Sequence, residues 1–177
     1  AGEIPRELAA GRIQLGVTGT DLIREKLVNW QTIVDPIAEM DFGYANLIIA
    51  VPTCWVDVET LDDFDEVAAS FRKMHGFRLR IATKYHRLVR EFLKQAGVAD
   101  YQIVDSQGAT EGTVKNQTAE AIADITSSGQ TLKANHLKIL QDGLVLESQA
   151  TLFRAKKYNL DQERAKVLAH FIQSVGL

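Results

Sequence analysis

The sequence has little of several features that mark other classes of protein. Among its 177 residues there is one cysteine, Cys54, so no internal disulfide can form and a reducing compartment is the simple interpretation. No segment approaches the roughly 18 consecutive apolar residues needed to cross a membrane. The formal net charge of -3 supplies no overall positive field for nucleic acid. We therefore expect a cytoplasmic protein that binds neither membranes nor nucleic acid.

Two common catalytic signatures are also missing. No Ser/His/Asp constellation is evident, and the histidines show no spacing typical of metal ligands. We interpret all four histidines as surface or helix-capping groups: His75, His86, His136 and His170. What the sequence offers instead is a set of small polar loops that follow strand-like segments.

Strand-like and helix-like segments alternate through most of the chain. Residues 47–51 (LIIAV) form an almost wholly apolar run, which is typical of a strand buried on both faces. Short strands are predicted at 12–17, 78–82 and 101–104, and the spacing of apolar residues predicts an amphipathic helix over 60–74. This alternation predicts an α/β architecture.

The domain organisation follows from two extended segments, near 47–54 and 144–153, that bracket a middle portion the size of a small domain. We expect residues 1–53 and 147–177 to form lobe I and residues 54–146 to form lobe II. A cleft between two such lobes would be the default ligand site.

The two ends of the chain carry further predictions. The chain starts with Ala1 and its first residues already resemble the inside of a fold, so we expect a missing N-terminal portion. A last helix is predicted over 160–174, with Asn159 as its cap. Its inner face would contain Leu168, Phe171, Ile172 and Val175.

The most informative stretch is EAIADITSSGQTLKANHL, at 120–137. An apolar run with one acid leads into a small-residue loop, and a helix-like segment follows. This order presents free backbone N–H groups to an anion, and Gly129 allows the backbone to approach it closely. Asp124, with Glu120 as second candidate, would accept hydrogen bonds from sugar hydroxyls. The predicted phosphate-binding residues are Thr126, Ser127, Ser128, Gly129, Gln130 and Thr131.

The spacing Asp-x-x-x-Ser-Gly-x-Thr in this stretch resembles the phosphoribosyl-diphosphate loop of phosphoribosyltransferases, written Asp-x-x-x-Thr-Gly-x-Thr. Taken alone, such a loop is more often an ordinary helix-capping turn, and Asp124 could simply cap or pair with a lysine. One phosphate plus one ribose nevertheless indicates a ribose-phosphate ligand.

Other turns could complete a site for two substrates. Thr18, Gly19 and Asp21 follow a strand and could hold ATP or pyrophosphate, although the same turn is plausible as a simple helix N-cap. Lys84 follows another strand and could face pyrophosphate, or be a solvated charge. Glu111 lies in the glycine-flanked loop GATEG and could reach the ribose or the nucleotide.

Five segments together resemble the ATP phosphoribosyltransferase family, whose reaction opens histidine biosynthesis. They occur in the family's order and cover nearly the whole chain. They are GVTGTDLI (16–23), FGYANLIIAVP (42–52), LRIATKY (79–85), GATEG (108–112) and AEAIADITSSGQTLKANHLKIL (119–140).

The resemblance implies a two-lobed α/β fold like a type II periplasmic binding protein, with mixed sheets and a cleft between the lobes. It also implies that ATP and phosphoribosyl diphosphate give phosphoribosyl-ATP and pyrophosphate, with Mg²⁺ bound through the substrate phosphates. Adenine N1 already carries a lone pair, so no catalytic base is required. The chain is similar to the short form, which lacks a C-terminal regulatory domain. That form usually works with a separate subunit resembling histidyl-tRNA synthetase; a homodimer alone is the other expectation.

Two departures from the family bear on these expectations. The opening strand and its Lys-Gly-Arg turn, which supplies basic groups to the active site, are absent from this sequence. The family commonly has aspartate where this chain has Glu120, and proline where it has His86. Two rival functions therefore stay open: a non-catalytic two-lobed module that binds a small anion, and an inactive regulatory paralogue.

Overall fold

The structure, a computed structural model, describes residues 2–157 and 162–174. These residues form two compact units, one from Ala1–Tyr44 with Ser148–Leu177 and the other from Ala45–Glu147. The division at 44/45 assigns the apolar run 47–51 to the second unit, whereas the predicted lobe boundary at 53 assigns it to the first. Within the described residues, no helix has both the length and the apolar character required to span a bilayer.

The first unit is built on a three-stranded antiparallel sheet, in which β8 (Ala150–Ala155) lies between β1 (Leu15–Gly19) and β2 (Val34–Glu39). Its apolar core contains Leu8, Ile23, Val34 and Phe153, and the ring of Phe153 meets that of Trp30 edge-on at 6.3 Å. The elements are α1 (Glu3–Ala9), β1 (Leu15–Gly19), α2 (Thr20–Lys26), a 3₁₀ helix (Trp30–Thr32), β2 (Val34–Glu39), β8 (Ala150–Ala155) and α7 (Gln162–Ser174).

The second unit contains a mixed five-stranded sheet, in the order β5 (Tyr101–Asp105), β4 (Leu79–Thr83), β6 (Ala121–Thr126), β3 (Ala45–Pro52) and β7 (Leu137–Ser148). Strand β4 runs parallel to both β5 and β6, whereas β3 runs antiparallel to β6. The elements are β3 (Ala45–Pro52), α3 (Leu61–His75), β4 (Leu79–Thr83), α4 (His86–Gln95), β5 (Tyr101–Asp105), α5 (Gly112–Lys115), β6 (Ala121–Thr126), α6 (Gln130–Ala134) and β7 (Leu137–Ser148).

Several elements form where the sequence predicts them. All five residues of 47–51 are buried, as expected for a strand covered on both faces. Helix α3 begins after Thr60, which forms a capping box with Asp63, and ends at Gly76 in the left-handed region at φ 78°. Its buried positions Leu61, Phe64 and Ala68 recur at helical spacing.

Other elements differ from the predictions. Strand β2 has no counterpart among the predicted strands. It contains Pro36, lies at a sheet edge, and its register shifts between Pro36 and Ala38. The extended segment 144–153 is two strands, and β7 already begins at Leu137. The helix-like segment after the small-residue loop is consequently only five residues long.

The last helix is only partly as predicted. Among its described residues none is fully buried: Leu168 and Ile172 are half-buried, whereas Phe171 is 46% exposed and not part of a packed inner face. The predicted cap Asn159 and the predicted inner-face residue Val175 lie outside the described residues.

Candidate functional site

The carboxyl ends of three parallel strands meet at one edge of the second unit's sheet. Thr83 at the end of β4 pairs with Asp105 at the end of β5, and Ala82 pairs with Ile122 of β6. Ligands of open α/β sheets bind outside the carboxyl ends of the strands. The residues that follow these strand ends, including Lys84 and the small-residue loop, therefore occupy the expected position of a binding site.

The small-residue loop is shaped by Gly129 and by its own hydroxyls. Gly129 has φ 70°, and its N–H donates to Oγ1 of Thr126 over 2.9 Å. The N–H of Gln130 donates to Oγ of Ser128 over 3.4 Å, and Ser127, Ser128 and Thr131 are exposed. No atom outside the neighbouring residues lies within 4 Å of a Cβ built at Gly129, so the space beside this residue is open.

Helix α6, which follows the loop, is too short to contribute a strong helix dipole. With five residues it is little more than one turn, so few peptide dipoles align to favour an anion. The N–H groups at its start still have no partner inside the helix. An anion here would thus be held mainly by individual backbone N–H groups and hydroxyls, and less by the helix as a whole.

Asp124 lies on β6 just before the loop and is paired with Lys84. Its Oδ1 is 3.8 Å from Nζ of Lys84, with side chains 19% and 36% exposed respectively. The same Oδ1 accepts the N–H of Ile125 over 2.8 Å. Nζ of Lys84 also lies 5.2 Å from the centre of the Tyr85 ring. The structure therefore brings together the acid and the cation that the sequence analysis assigned to ribose and pyrophosphate.

Glu120 does not lie beside the pair of Asp124 and Lys84. It precedes β6 and lies four residues before Asp124, a separation of about 13 Å along an extended strand. Its carboxylate accepts the backbone N–H of Arg80 over 2.8 Å and also binds the Arg80 guanidinium. The ribose-binding role of Glu120 stays a prediction that none of these contacts supports.

Glu111 lies in the loop that leads from β5 to α5. It is the N-cap residue of α5 and half-buried. The preceding residues fasten this loop, because Oγ of the buried Ser106 donates to Oγ1 of the buried Thr110 over 3.1 Å. The loop begins directly after β5, so it starts at the same sheet edge as Lys84.

The side chains around Asp105 at this edge form an arrangement that was not visible in the sequence. Nε2 of His86 lies 3.0 Å from Oδ1 of Asp105 and 3.1 Å from the carbonyl oxygen of Thr83. The side-chain amide of Gln107 donates to both Asp105 oxygens, over 2.8 and 3.0 Å. The only sequence signal was that His86 stands where the resembled family has proline.

A cavity of about 530 Å³ lies against the loop in the same unit. Lys133 of α6, which sequence reasoning also missed, lines it together with the loop residues 126–129. Lys138 lines it too, but its Nζ is engaged by Glu59 at 2.8 Å. Lys133 is thus a second cation beside the loop.

The predicted turn of the first unit is a buried polar cluster. Thr18, Asp21, Ser148 and Thr151 are each at most 6% exposed. The N-cap residue of α2 is Gly19, without a side-chain cap, and Asp21 Oδ1 instead accepts the hydroxyl of Ser148 over 2.7 Å. Oγ1 of Thr18 is buried and has no hydrogen-bond partner among the described residues. These contacts do not match the simple N-cap alternative, and the contact of Asp21 with Ser148 was not visible in the sequence.

The described part of the chain contains no group of three or more His, Cys, Asp or Glu residues able to hold a metal ion. Mg²⁺ commonly binds through substrate phosphates with one or two carboxylates and keeps several waters. The carboxylate of Asp124, near the proposed anion loop, fits that mode of binding.

Comparisons with known proteins place these features in a family. Residues 1–174 match the family model for ATP phosphoribosyltransferase. The chain is 73% identical to the ATP phosphoribosyltransferase of Cereibacter sphaeroides over 89% of its length, and spans 66% of that relative. It is 51% identical to the enzyme of Chelativorans sp. over 99% of its length, and spans 76% of that relative.

Solved structures agree on the fold. The ATP phosphoribosyl transferase (HisG:HisZ) complex from Thermotoga maritima has a TM-score of 0.70 at 22% identity, covering 98% of this chain and 75% of the other. The substrate binding protein of an amino acid ABC transporter has a TM-score of 0.55 at 16% identity, covering 98% and 70%. The predicted class, a mixed-sheet α/β fold like type II periplasmic binding proteins, is confirmed.

Proposed function

Because the chain belongs to the ATP phosphoribosyltransferase family, we propose that it transfers the phosphoribosyl group of phosphoribosyl diphosphate to ATP. A bond forms between adenine N1 and the anomeric carbon, while the bond from that carbon to pyrophosphate breaks with its electron pair. The products are phosphoribosyl-ATP and pyrophosphate, as in the first step of histidine biosynthesis. The activity is a proposal because the chain spans about two thirds of the first relative's length.

The observation that carries this proposal is that Asp124, the small-residue loop and Lys84 lie at the same edge of one sheet. We assign the 5-phosphate to the loop 126–131, where backbone N–H groups and the hydroxyls of Thr126, Ser127, Ser128 and Thr131 can donate. Gly129 at φ 70° makes the turn without strain, and the space where its Cβ would stand is open. Lys133 adds a positive charge beside the same loop.

The pair of Asp124 and Lys84 suits the ribose and the leaving group. Asp124 would accept hydrogen bonds from ribose hydroxyls, and Lys84 would neutralise pyrophosphate. Their separation of 3.8 Å and partial exposure make the pair weak, on the order of 0–1 kcal/mol. Substrate contacts can therefore replace the pair at little cost.

Adenine N1 needs no base to remove a proton, so the protein's task is alignment and charge neutralisation. We assign the turn of Thr18, Gly19 and Asp21 to ATP or to pyrophosphate. The buried hydroxyl of Thr18, which lacks a partner among the described residues, supports a ligand contact there. Glu111 is a further candidate for the ribose or nucleotide. Mg²⁺ bound to the substrate phosphates, with Asp124 nearby, would neutralise developing charge on pyrophosphate.

We also propose that the protein works in the cytoplasm with a regulatory subunit that resembles histidyl-tRNA synthetase. One solved structure with this fold is described as a HisG:HisZ complex, which is a statement about that protein and supports an assembly here. Self-association into a homodimer is the alternative.

The test is formation of phosphoribosyl-ATP, followed by absorbance, from ATP and phosphoribosyl diphosphate with Mg²⁺. The full-length protein is assayed with and without the regulatory subunit. Product in either reaction supports the proposal. No product in both, combined with calorimetric binding of inorganic phosphate, would instead favour the small-anion binding module.

A further inference from the structure

Ser148 and Asp21 are joined by two hydrogen bonds that run in opposite directions. The hydroxyl of Ser148 donates to Oδ1 of Asp21 over 2.7 Å, and the backbone N–H of Asp21 donates to Oγ of Ser148 over 3.1 Å. The two residues are 127 positions apart in the sequence, and each is 6% exposed. Ser148 is also the residue at which the chain returns to the first unit.

This pair determines where the Asp21 carboxylate lies. A Cβ built at Gly19 would be 2.1 Å from Oδ1 of Asp21, so the carboxylate is folded back against the turn and a side chain at residue 19 would displace it. The backbone of the turn is fastened as well, because the N–H of Thr20 donates to the carbonyl of Gln149 over 3.2 Å. The carboxylate and backbone of the turn are thus both fixed from the segment 148–149.

The hydroxyl of Ser148 both donates and accepts in this arrangement. It donates a hydrogen bond to Asp21 and accepts one from the Asp21 backbone, and since the residue is buried we assign it a structural contact and no direct contact with substrate. Thr18, two residues before Thr20, has a buried hydroxyl with no partner among the described residues. Buried polar groups are normally hydrogen-bonded, so this hydroxyl points to a ligand at the turn.

We propose that Ser148 is a positioning residue: by its paired hydrogen bonds it holds the Asp21 carboxylate and the turn 18–21 in the arrangement that receives substrate. Ser148 acts through Asp21 and does not itself touch substrate. The inference rests on the proposed function, which assigns this turn to ATP or pyrophosphate. Loss of the Ser148 hydroxyl removes a hydrogen bond to a charged group, which predicts a roughly 10- to 100-fold fall in kcat/KM for the substrate at the turn.

The kinetic test compares Ser148→Ala with a matched control, Thr151→Val. Thr151 is also a buried hydroxyl of this cluster, but it lies 3.4 Å from Oγ1 of Thr20 and donates to the carbonyl oxygen of Gln149 over 3.4 Å. Ser148→Ala should lower kcat/KM for the substrate held at the turn, either ATP or phosphoribosyl diphosphate, and leave KM for the other substrate unchanged, whereas Thr151→Val should keep both within about twofold. Ser148→Thr restores a hydroxyl and should recover most of the loss.

A double-mutant cycle separates positioning from general stabilisation. In an Asp21→Asn background, Ser148→Ala should change kcat/KM by less than about twofold, because the partner through which it acts is already altered. An equal loss in both backgrounds would overturn the proposal. So would a loss reproduced by Thr151→Val.

A second readout does not depend on activity. Amide hydrogen exchange at Asp21 should accelerate in Ser148→Ala and not in Thr151→Val, since only Ser148 accepts that N–H. Unchanged exchange in Ser148→Ala would refute the positioning role. Absence of phosphoribosyl-ATP from wild-type protein with its regulatory subunit would refute the proposed function instead, and the exchange result would still decide the role of Ser148.

Discussion

Lys84 follows strand β4 and Asp124 lies on β6, and their charged atoms are 3.8 Å apart. The parallel pairing of β4 with β6 explains the approach, since the register that pairs Ala82 with Ile122 continues to Lys84 and Asp124. The cation proposed for pyrophosphate and the carboxylate proposed for ribose thus partly neutralise one another. Binding of phosphoribosyl diphosphate would give each of them a new partner.

The first prediction concerns Asp124→Asn, which keeps the shape of the side chain and removes its charge. A hydrogen bond to a charged group contributes about 1.5–3 kcal/mol, so loss of ribose contacts predicts a fall of about 100-fold in kcat/KM for phosphoribosyl diphosphate. The weak pair with Lys84 predicts a stability change within about 1 kcal/mol. Steady-state kinetics and thermal unfolding measure the two effects separately.

Asp100→Asn is the matched control for that prediction. Asp100 forms ion pairs with Arg72 and Arg78 in the same unit, and it lies just before β5, at the strand end away from the loop. Its loss should alter stability slightly and leave the kinetics unchanged. Near-wild-type kinetics of Asp124→Asn would contradict the assignment of Asp124 to ribose.

The second prediction concerns pH and the capping box of α3. Backbone N–H groups of Glu59 and Thr60 and the Thr60 hydroxyl bind the Asp63 carboxylate and hold its pKa below the usual range. The charged form is therefore favoured in the folded protein. Its contribution to stability is present above the unfolded pKa of about 3.9 and is lost as the pH falls through the lower folded pKa.

Thermal unfolding of Asp63→Asn against wild type checks this sign. The difference in melting temperature should be largest above about pH 5 and should shrink on acidification below about pH 4. Asp62→Asn removes a charge from the same helical turn without removing the cap, so it controls for net charge. A difference that grows as the pH falls would be inconsistent with the lowered pKa of Asp63.

The third prediction separates the two acids of the 120–124 segment. Glu120→Gln should weaken the contacts with Arg80, whose guanidinium and backbone N–H both bind the carboxylate, and lower stability by about 1–3 kcal/mol. Arg80→Lys should reproduce part of that loss, because an ammonium cannot match the guanidinium geometry. KM for phosphoribosyl diphosphate should stay at the wild-type value in both. A raised KM for phosphoribosyl diphosphate at unchanged stability would instead support a contact between Glu120 and the ribose.

These cases show which features local sequence could predict. The buried strand at 47–51, the capped helix after Thr60 and the turn at Gly129 depend on neighbouring residues, and all three have local signatures. The partner of Asp21 stands 127 positions away and is set by how β8 joins the sheet with β1. The pattern of residues around Asp21 or around Ser148 therefore does not predict that the two side chains pair.

Tertiary contacts also determine elements that the local sequence does not predict correctly. Strand β2 contains Pro36, which normally argues against a strand but is tolerated at the edge of this sheet. Helix α6 ends early because β7 begins at Leu137. In both places sheet pairing outweighed the local preference of the chain.

The last prediction compares two glycines with nearly the same backbone. Gly129 has φ 70° and Gly76 has φ 78°, and a Cβ at either position would meet no atom within 4 Å. Alanine at each should therefore cost only the left-handed backbone penalty, about 1–2 kcal/mol of stability. Gly76 ends α3, whereas Gly129 shapes the proposed phosphate loop, so only Gly129→Ala should also raise KM for phosphoribosyl diphosphate. Equal stability loss with equal, unchanged kinetics in both variants would show that the loop does not hold the 5-phosphate.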